Sequence, residues 1–288
     1  MISLTTIKSK YESFGKQPGY LNSQATTTLT SLEVITYNTE KVERKKNIKL
    51  SEVLPQCSDD KVTWLIYRGL PSTKSLQEIG KHLNLDSLVL EDIQNCALLR
   101  PGYFISDSSL FASAKFPLMA KDDRYAMTAT CFVAAKNIFI TFLTSDNNSL
   151  NPLIERVVNS QGRICSRGVD YLAFCHLDLA VDYYFMFINN LSSTLEQIEE
   201  RIISNPDPSM LGELQQLKRI SAAMRKSIWP MREMIHAVRG NDCSIMTPDT
   251  EKYFMDVDGH MLMIFDNAES TREMISGLLE IYLSSVSN

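Results

Sequence analysis

The carboxylates are where this sequence could do chemistry. Glu91-Asp92 lies between Leu90 and Ile93 in an otherwise apolar stretch. Asp170, Asp178 and Asp182 fall in one long apolar segment. The four-residue step from Asp178 to Asp182 puts those two on one helical face. Asp256 stands one turn before His260, and Glu280 is set between Leu279 and Ile281. Carboxylates against apolar surface cost free energy unless something neutralises them. A divalent cation is one neutraliser, and Mg²⁺ takes carboxylate and water oxygens while keeping part of its hydration shell. Plain solvation, or pairing with the arginines of the second long helix, is the other way out.

Little else offers chemistry. The sequence holds no G-x-S-x-G, Walker A loop, H-E-x-x-H or dinucleotide fingerprint. No enzyme is expected. The histidines His82, His176, His236 and His260 have no zinc-site spacing. His176 sits inside an apolar run and reads as a core or interface residue. Met255, Met261, Met263 and Met274 read as packing rather than metal chemistry. Six cysteines without a C-x-x-C pair, and no secretory leader pattern, predict a reducing cytoplasmic setting.

The elements that must position these carboxylates fall into two textures. Residues 1–30 are polar and threonine-rich and read as a loose arm. Residues 31–37 and 62–67 are β-branched and aromatic and read as strands. A short helix is predicted over 74–84, and a helix or turn over 87–95. Residues 102–119, 126–134 and 138–144 read as three strands of a meander, with Lys136-Asn137 as the last turn. Residues 150–160 have a helical pattern. Residues 169–203 contain no Gly or Pro and predict a long helix, stopped by Asn205-Pro206-Asp207-Pro208. A second long helix spans about 209–239, with Pro230 predicting a kink or local break. Gly240-Asn241-Asp242 reads as a turn, and a final helix begins near Thr250.

That final helix carries the strongest pattern. Phe254, Val257, Met261, Ile264, Ala268, Thr271, Ile275, Leu278 and Tyr282 step by 3 and 4 in alternation, a heptad seam. Over 251–288 the rod would be roughly 57 Å long. No closing Gly, Pro or basic last turn precedes Asn288, so the chain is expected to stop inside a helix. The fold class is thus α+β: an αβα sandwich of mixed strands and helices over 1–165, two long antiparallel helices as a hairpin over 166–250, and a stalk helix over 251–288. Charge agrees with this division. The 288 residues carry a net charge of -5, and 251–288 hold all of it, seven acids against two bases. No basic field invites nucleic acid. The longest apolar runs fall far short of the roughly 18 residues a membrane-spanning helix needs, so no segment is expected to cross a membrane as a helix.

Four stretches together resemble the cytoplasmic part of the CorA-type magnesium and cobalt transport proteins. They are LNLDSLVLEDIQN (83–95), GVDYLAFCHLDLAVDYYF (168–185), LKRISAAMRKSIWPMREMI (217–235) and residues 253–288, from YFMDVDGH to YLSSVSN. The resemblance implies a homopentamer around a pore in the full-length protein, placed in the inner (plasma) membrane with this domain in the cytoplasm. The isolated domain is expected as a monomer or smaller oligomer. Two transmembrane helices and a Gly-Met-Asn filter are expected beyond residue 288, which makes this a domain cut before the first of them. Regulatory Mg²⁺, with Co²⁺ as a substitute, would bridge Asp92 of one subunit and the stalk carboxylate Glu280 of the next and favour the closed state. The family commonly has Asp at that stalk position. Glu91, Asp178 and Asp256 are the implied second regulatory group. DVDGH at 256–260 departs from the frequent DVYDH. A zinc-transporting relative, or a soluble coiled-coil scaffold, are the competing readings.

Overall fold

A computed structural model describes residues 15–22, 31–119, 125–145, 147–239 and 243–287. Most of the 1–30 arm and the 240–242 turn lie outside the described residues. Among the described residues, seven strands form one sheet: β1 (Ser31–Tyr37), β2 (Val42–Lys46), β3 (Val62–Arg68), β4 (Gly102–Ile105), β5 (Ser109–Met119), β6 (Tyr125–Ala135) and β7 (Ile138–Leu143). Their spatial order is β2-β1-β3-β7-β6-β5-β4. Only β3 and β7 run parallel, with Thr63 opposite Ile138; the other neighbours are antiparallel.

Among the described residues, seven α-helices accompany the sheet: α1 (Leu50–Val53), α2 (Thr73–Leu83), α3 (Ser87–Gln94), α4 (Asn151–Val158), α5 (Val169–Ser204), α6 (Ser209–Arg239) and α7 (Pro248–Ser287). Alternating side chains bury both faces of the central strands. Leu65 and Tyr67 of β3 meet α1–α3, while Trp64 and Ile66 meet the core under α4 and α5. The result is the expected αβα sandwich followed by long helices.

The structure departs from the sequence reading in several places. Residues 102–119 form two strands, because Ser106-Asp107-Ser108 turns the chain and Ser106 Oγ accepts from the Ser109 N–H. β2 was not foreseen, since VERKK has a charged edge-strand composition; Arg44 on it pairs with buried Glu33 of β1. And α5, by length and composition alone, could cross a membrane, with a mean hydropathy of 1.2 over its best 18-residue window. Two thirds of that window (67%) is buried inside the fold, so the apolar surface is core surface.

α7 runs for 40 residues, about 60 Å. All nine seam residues are buried, none more than 4% exposed. The seam faces both long helices: α7 packs along α5 and α6, which touch each other little. α6 stays helical through Pro230.

Candidate functional site

α3 places the first carboxylates. Asp86 caps it by accepting from the Leu88 N–H at 2.8 Å. Val89, Leu90 and Ile93 are buried, leaving Glu91 and Asp92 half-buried at the edge of the packed face. The two differ in their duties. Glu91 Oε2 accepts from the Gly19 N–H at 2.7 Å. Gly19 is in the left-handed region at φ +78°, and a Cβ there would stand 2.3 Å from Ser87 Oγ, so only glycine fits. One oxygen of Glu91 is therefore engaged in holding residues 15–22. Asp92 makes no ion pair among the described residues. Burial, then the Glu91 charge, raises its carboxyl above the usual range.

The second group lies between α5 and α7. Asp178 is half-buried, and burial first, then Asp182, pushes its carboxyl up to about 6. Arg156 of α4 and His260 of α7 pull against that rise, and Asp256 adds to it. Asp182 is raised by burial of its carboxyl as well, although more of the residue meets solvent. His260 stacks edge-on to Phe185 with ring centroids 5.8 Å apart, and its Nε2 is 4.0 Å from Asp256 Oδ1. The structure thus brings Asp178, Asp182, Asp256 and His260 into one electrostatic neighbourhood. Glu280 stands apart from it, exposed on α7 and without an ion pair among the described residues.

Other polar groups are used up within the fold. Asp170 Oδ2 accepts from the Thr247 N–H at 3.1 Å and from its hydroxyl at 2.6 Å, tying the start of α5 to the start of α7. His176 is fully buried among Phe116, Phe132 and Phe139, with Nε2 3.3 Å from Thr130 Oγ1. Burial lowers it to about 3, so it is neutral and structural. No group of three or more His, Cys, Asp or Glu side chains that could hold a metal is present among the described residues. The free half-buried donors are carboxylate oxygens, which suit a hard cation such as Mg²⁺.

One cluster realises the pairing with arginines of the second long helix, at a carboxylate the sequence did not single out. Asp258 of α7 meets two arginines and a histidine of α6: Arg232 Nε at 3.7 Å, His236 Nδ1 at 3.2 Å and Arg239 Nη1 at 3.7 Å. The spacing of 232, 236 and 239 marks one face of α6, a pattern that could have pointed to it.

The sequence profile of the CorA-like Mg²⁺ transporter protein family matches residues 59–288. The cobalt/magnesium transport protein CorA of Thermotoga maritima is 30% identical over 258 residues, 89% of this chain and 73% of that protein. The soluble domain of CorA from Methanocaldococcus jannaschii superposes with a TM-score of 0.70 at 16% identity, covering 90% of this chain and 98% of that one. The cytoplasmic domain of ZntB from Vibrio parahaemolyticus superposes at 0.68 with 8% identity, covering 90% and 100%.

Proposed function

Since this chain belongs to the family of CorA-like Mg²⁺ transporters, we propose that it is the cytoplasmic Mg²⁺-sensing and gating part of a divalent-cation transporter of the cell membrane, acting as a homopentamer. The observation that carries this reading is the pair of half-buried carboxyls, Asp92 and Asp178, each raised by burial and a neighbouring carboxylate and neither in an ion pair among the described residues. Half-buried carboxyls whose charge is so incompletely balanced favour a bound cation.

Asp92 of one subunit and Glu280 of the next would hold one Mg²⁺, largely through water, with Co²⁺ as a substitute. Asp178 and Asp256, with the free oxygen of Glu91, would form the second position. A bound cation neutralises facing carboxylates at the subunit boundary. Without it these carboxylates repel, and α7 is released to move relative to its neighbours. The apolar residues that α7 leaves exposed, Met255, Met263, Met274 and Ile281 among them, fit a boundary between copies.

The test is a thermal melt and calorimetric titration with Mg²⁺, Co²⁺ and Zn²⁺ in turn. Millimolar Mg²⁺ raises the melting temperature and promotes association, because it binds the native state alone. Asp92→Asn with Glu280→Gln removes most of that effect. No titration heat and an unchanged melt at saturating Mg²⁺ would sink the proposal. The fold shared with the ZntB domain makes the zinc arm necessary. Protection by Zn²⁺ at far lower concentration than Mg²⁺ would transfer the reading to zinc.

A further inference from the structure

The hydrophobic pattern of α7 is nearly indifferent to rotation at one level. Phe254, Val257, Met261 and Ile264 are buried there, yet Met255, Leu262 and Met263 lie exposed at 53%, 46% and 55%. Turning the helix by one residue, about 100°, would put Met255, Leu262 and Phe265 in place of Phe254, Met261 and Ile264, with Asp258 in place of Val257. Gly259 adds no side chain to decide the matter, and a Cβ there would meet nothing. Polar contacts at this level do discriminate. Asp256 and His260 turn toward α5, where His260 meets Phe185. Asp258, two residues from each and so about 200° around the helix, turns toward α6.

Asp258 is only 14% exposed and is faced by Arg232, His236 and Arg239. Its Oδ1 and Arg232 Nε are both buried without a hydrogen bond. Any other rotation would leave two arginines facing apolar side chains and would send the carboxylate elsewhere. A partly buried charge cluster of this kind adds little net stability, but it penalises the alternatives strongly. Beside it, Arg232 lies 5.8 Å over the Trp229 ring, and Trp229 meets Phe265 of α7 edge-on at 5.9 Å.

We propose that Asp258 is a positioning residue that sets the rotational register of α7 by pairing with the cationic face of α6, and thereby decides where Asp256 points. That last consequence, and only that, rests on the Mg²⁺-sensing function. The register itself is tested without metal. Of the two tryptophans, Trp64 is fully buried, so acrylamide quenching reports on Trp229. In folded Asp258→Asn, quenching of Trp229 rises by about twofold, Asp258→Glu largely restores it, and in an Arg232→Gln/Arg239→Gln background Asp258→Asn adds nothing further. Unmoved quenching in Asp258→Asn, or effects that simply add to those of the arginine changes, would overturn the proposal. If Asp258→Asn does not fold, the arginine pair poses the same question from the other helix. With Mg²⁺ present, the protection midpoint of Asp258→Asn moves by about threefold, following the displaced Asp256. A wild-type melt that ignores Mg²⁺ overturns the sensing function, while the metal-free quenching still decides the register.

Discussion

At the scale of the residue, Asp178 ties structure to pH. Its folded pKa of about 6 lies above the ordinary value of 3.8. Between those two values the native state holds more protons than the unfolded chain, so stability falls as pH rises through the window. Above pH 6 the charged carboxylate costs about 1–2 kcal/mol, allowing for screening at a half-buried site. Metal-free Asp178→Asn is therefore expected to be more stable than wild type at pH 7 and nearly equal to it at pH 4, in denaturant titrations at both pH values. Protection by Mg²⁺ is expected to be largest above pH 6 and to fade below it, as protons compete for the same oxygens. The sequence placed Asp178 and Asp182 on one face. It did not reveal that Arg156 and His260 act on them, because those residues come from α4 and α7 and meet α5 only in the fold. Nor did it separate Glu91 from Asp92, since the Gly19 N–H that engages Glu91 is 72 residues away.

At the scale of the element, α7 was the most legible part of the chain. A heptad step marks a seam whatever the seam packs against, and all nine of its residues are buried. What the seam packs against was not legible, because period alone cannot say that one helix lies along two others. The division of 102–119 was less visible: both halves are apolar, and the polar Ser106-Asp107-Ser108 between them is short, its turn shown by the Ser106–Ser109 hydrogen bonds. Two substitutions distinguish the faces of α7. Ile264→Ala, at a fully buried position, is expected to lower the stability of the isolated chain by about 2–5 kcal/mol. Met263→Ala, at its exposed neighbour, is expected to leave that stability within about 0.5 kcal/mol of wild type and to weaken Mg²⁺-dependent association. Denaturant titration and sedimentation read the two effects separately. Weakened folding without weakened association in Met263→Ala would count against the exposed face as a boundary.

At the scale of the whole molecule, charge is sorted by helix. α7 carries eight acids and two bases, a net of -6, and α6 carries six bases and two acids, a net of +4. Arg225–Glu269 and the Asp258 cluster join the two. The concentration of negative charge at the C-terminal end was visible in a simple count. That part of it is cancelled inside the chain, leaving Asp256 and Glu280 without a basic partner on α6 among the described residues, required the antiparallel packing of α6 on α7.

Among the described residues one strand pairing is parallel, β3 against β7, and it bears on the order of assembly. Thr63 and Ile138 lie 75 residues apart, whereas Ser109 and Ala135 of the β5–β6 hairpin lie 26 apart. Closing the longer loop costs more chain entropy and gains contacts only once β7 is already held by β6. The C-terminal meander should therefore form as a template onto which the β1–β3 unit docks. In pulse-labelled hydrogen exchange, the amides of β5 and β6 are expected to gain protection before those of Thr63 and Gly69, which donate to the carbonyls of Asn137 and Leu143, and simultaneous protection would contradict this order. A chain emerging from the ribosome thus makes β1 and β3 first but must leave the β3 edge exposed until β7 has been synthesised.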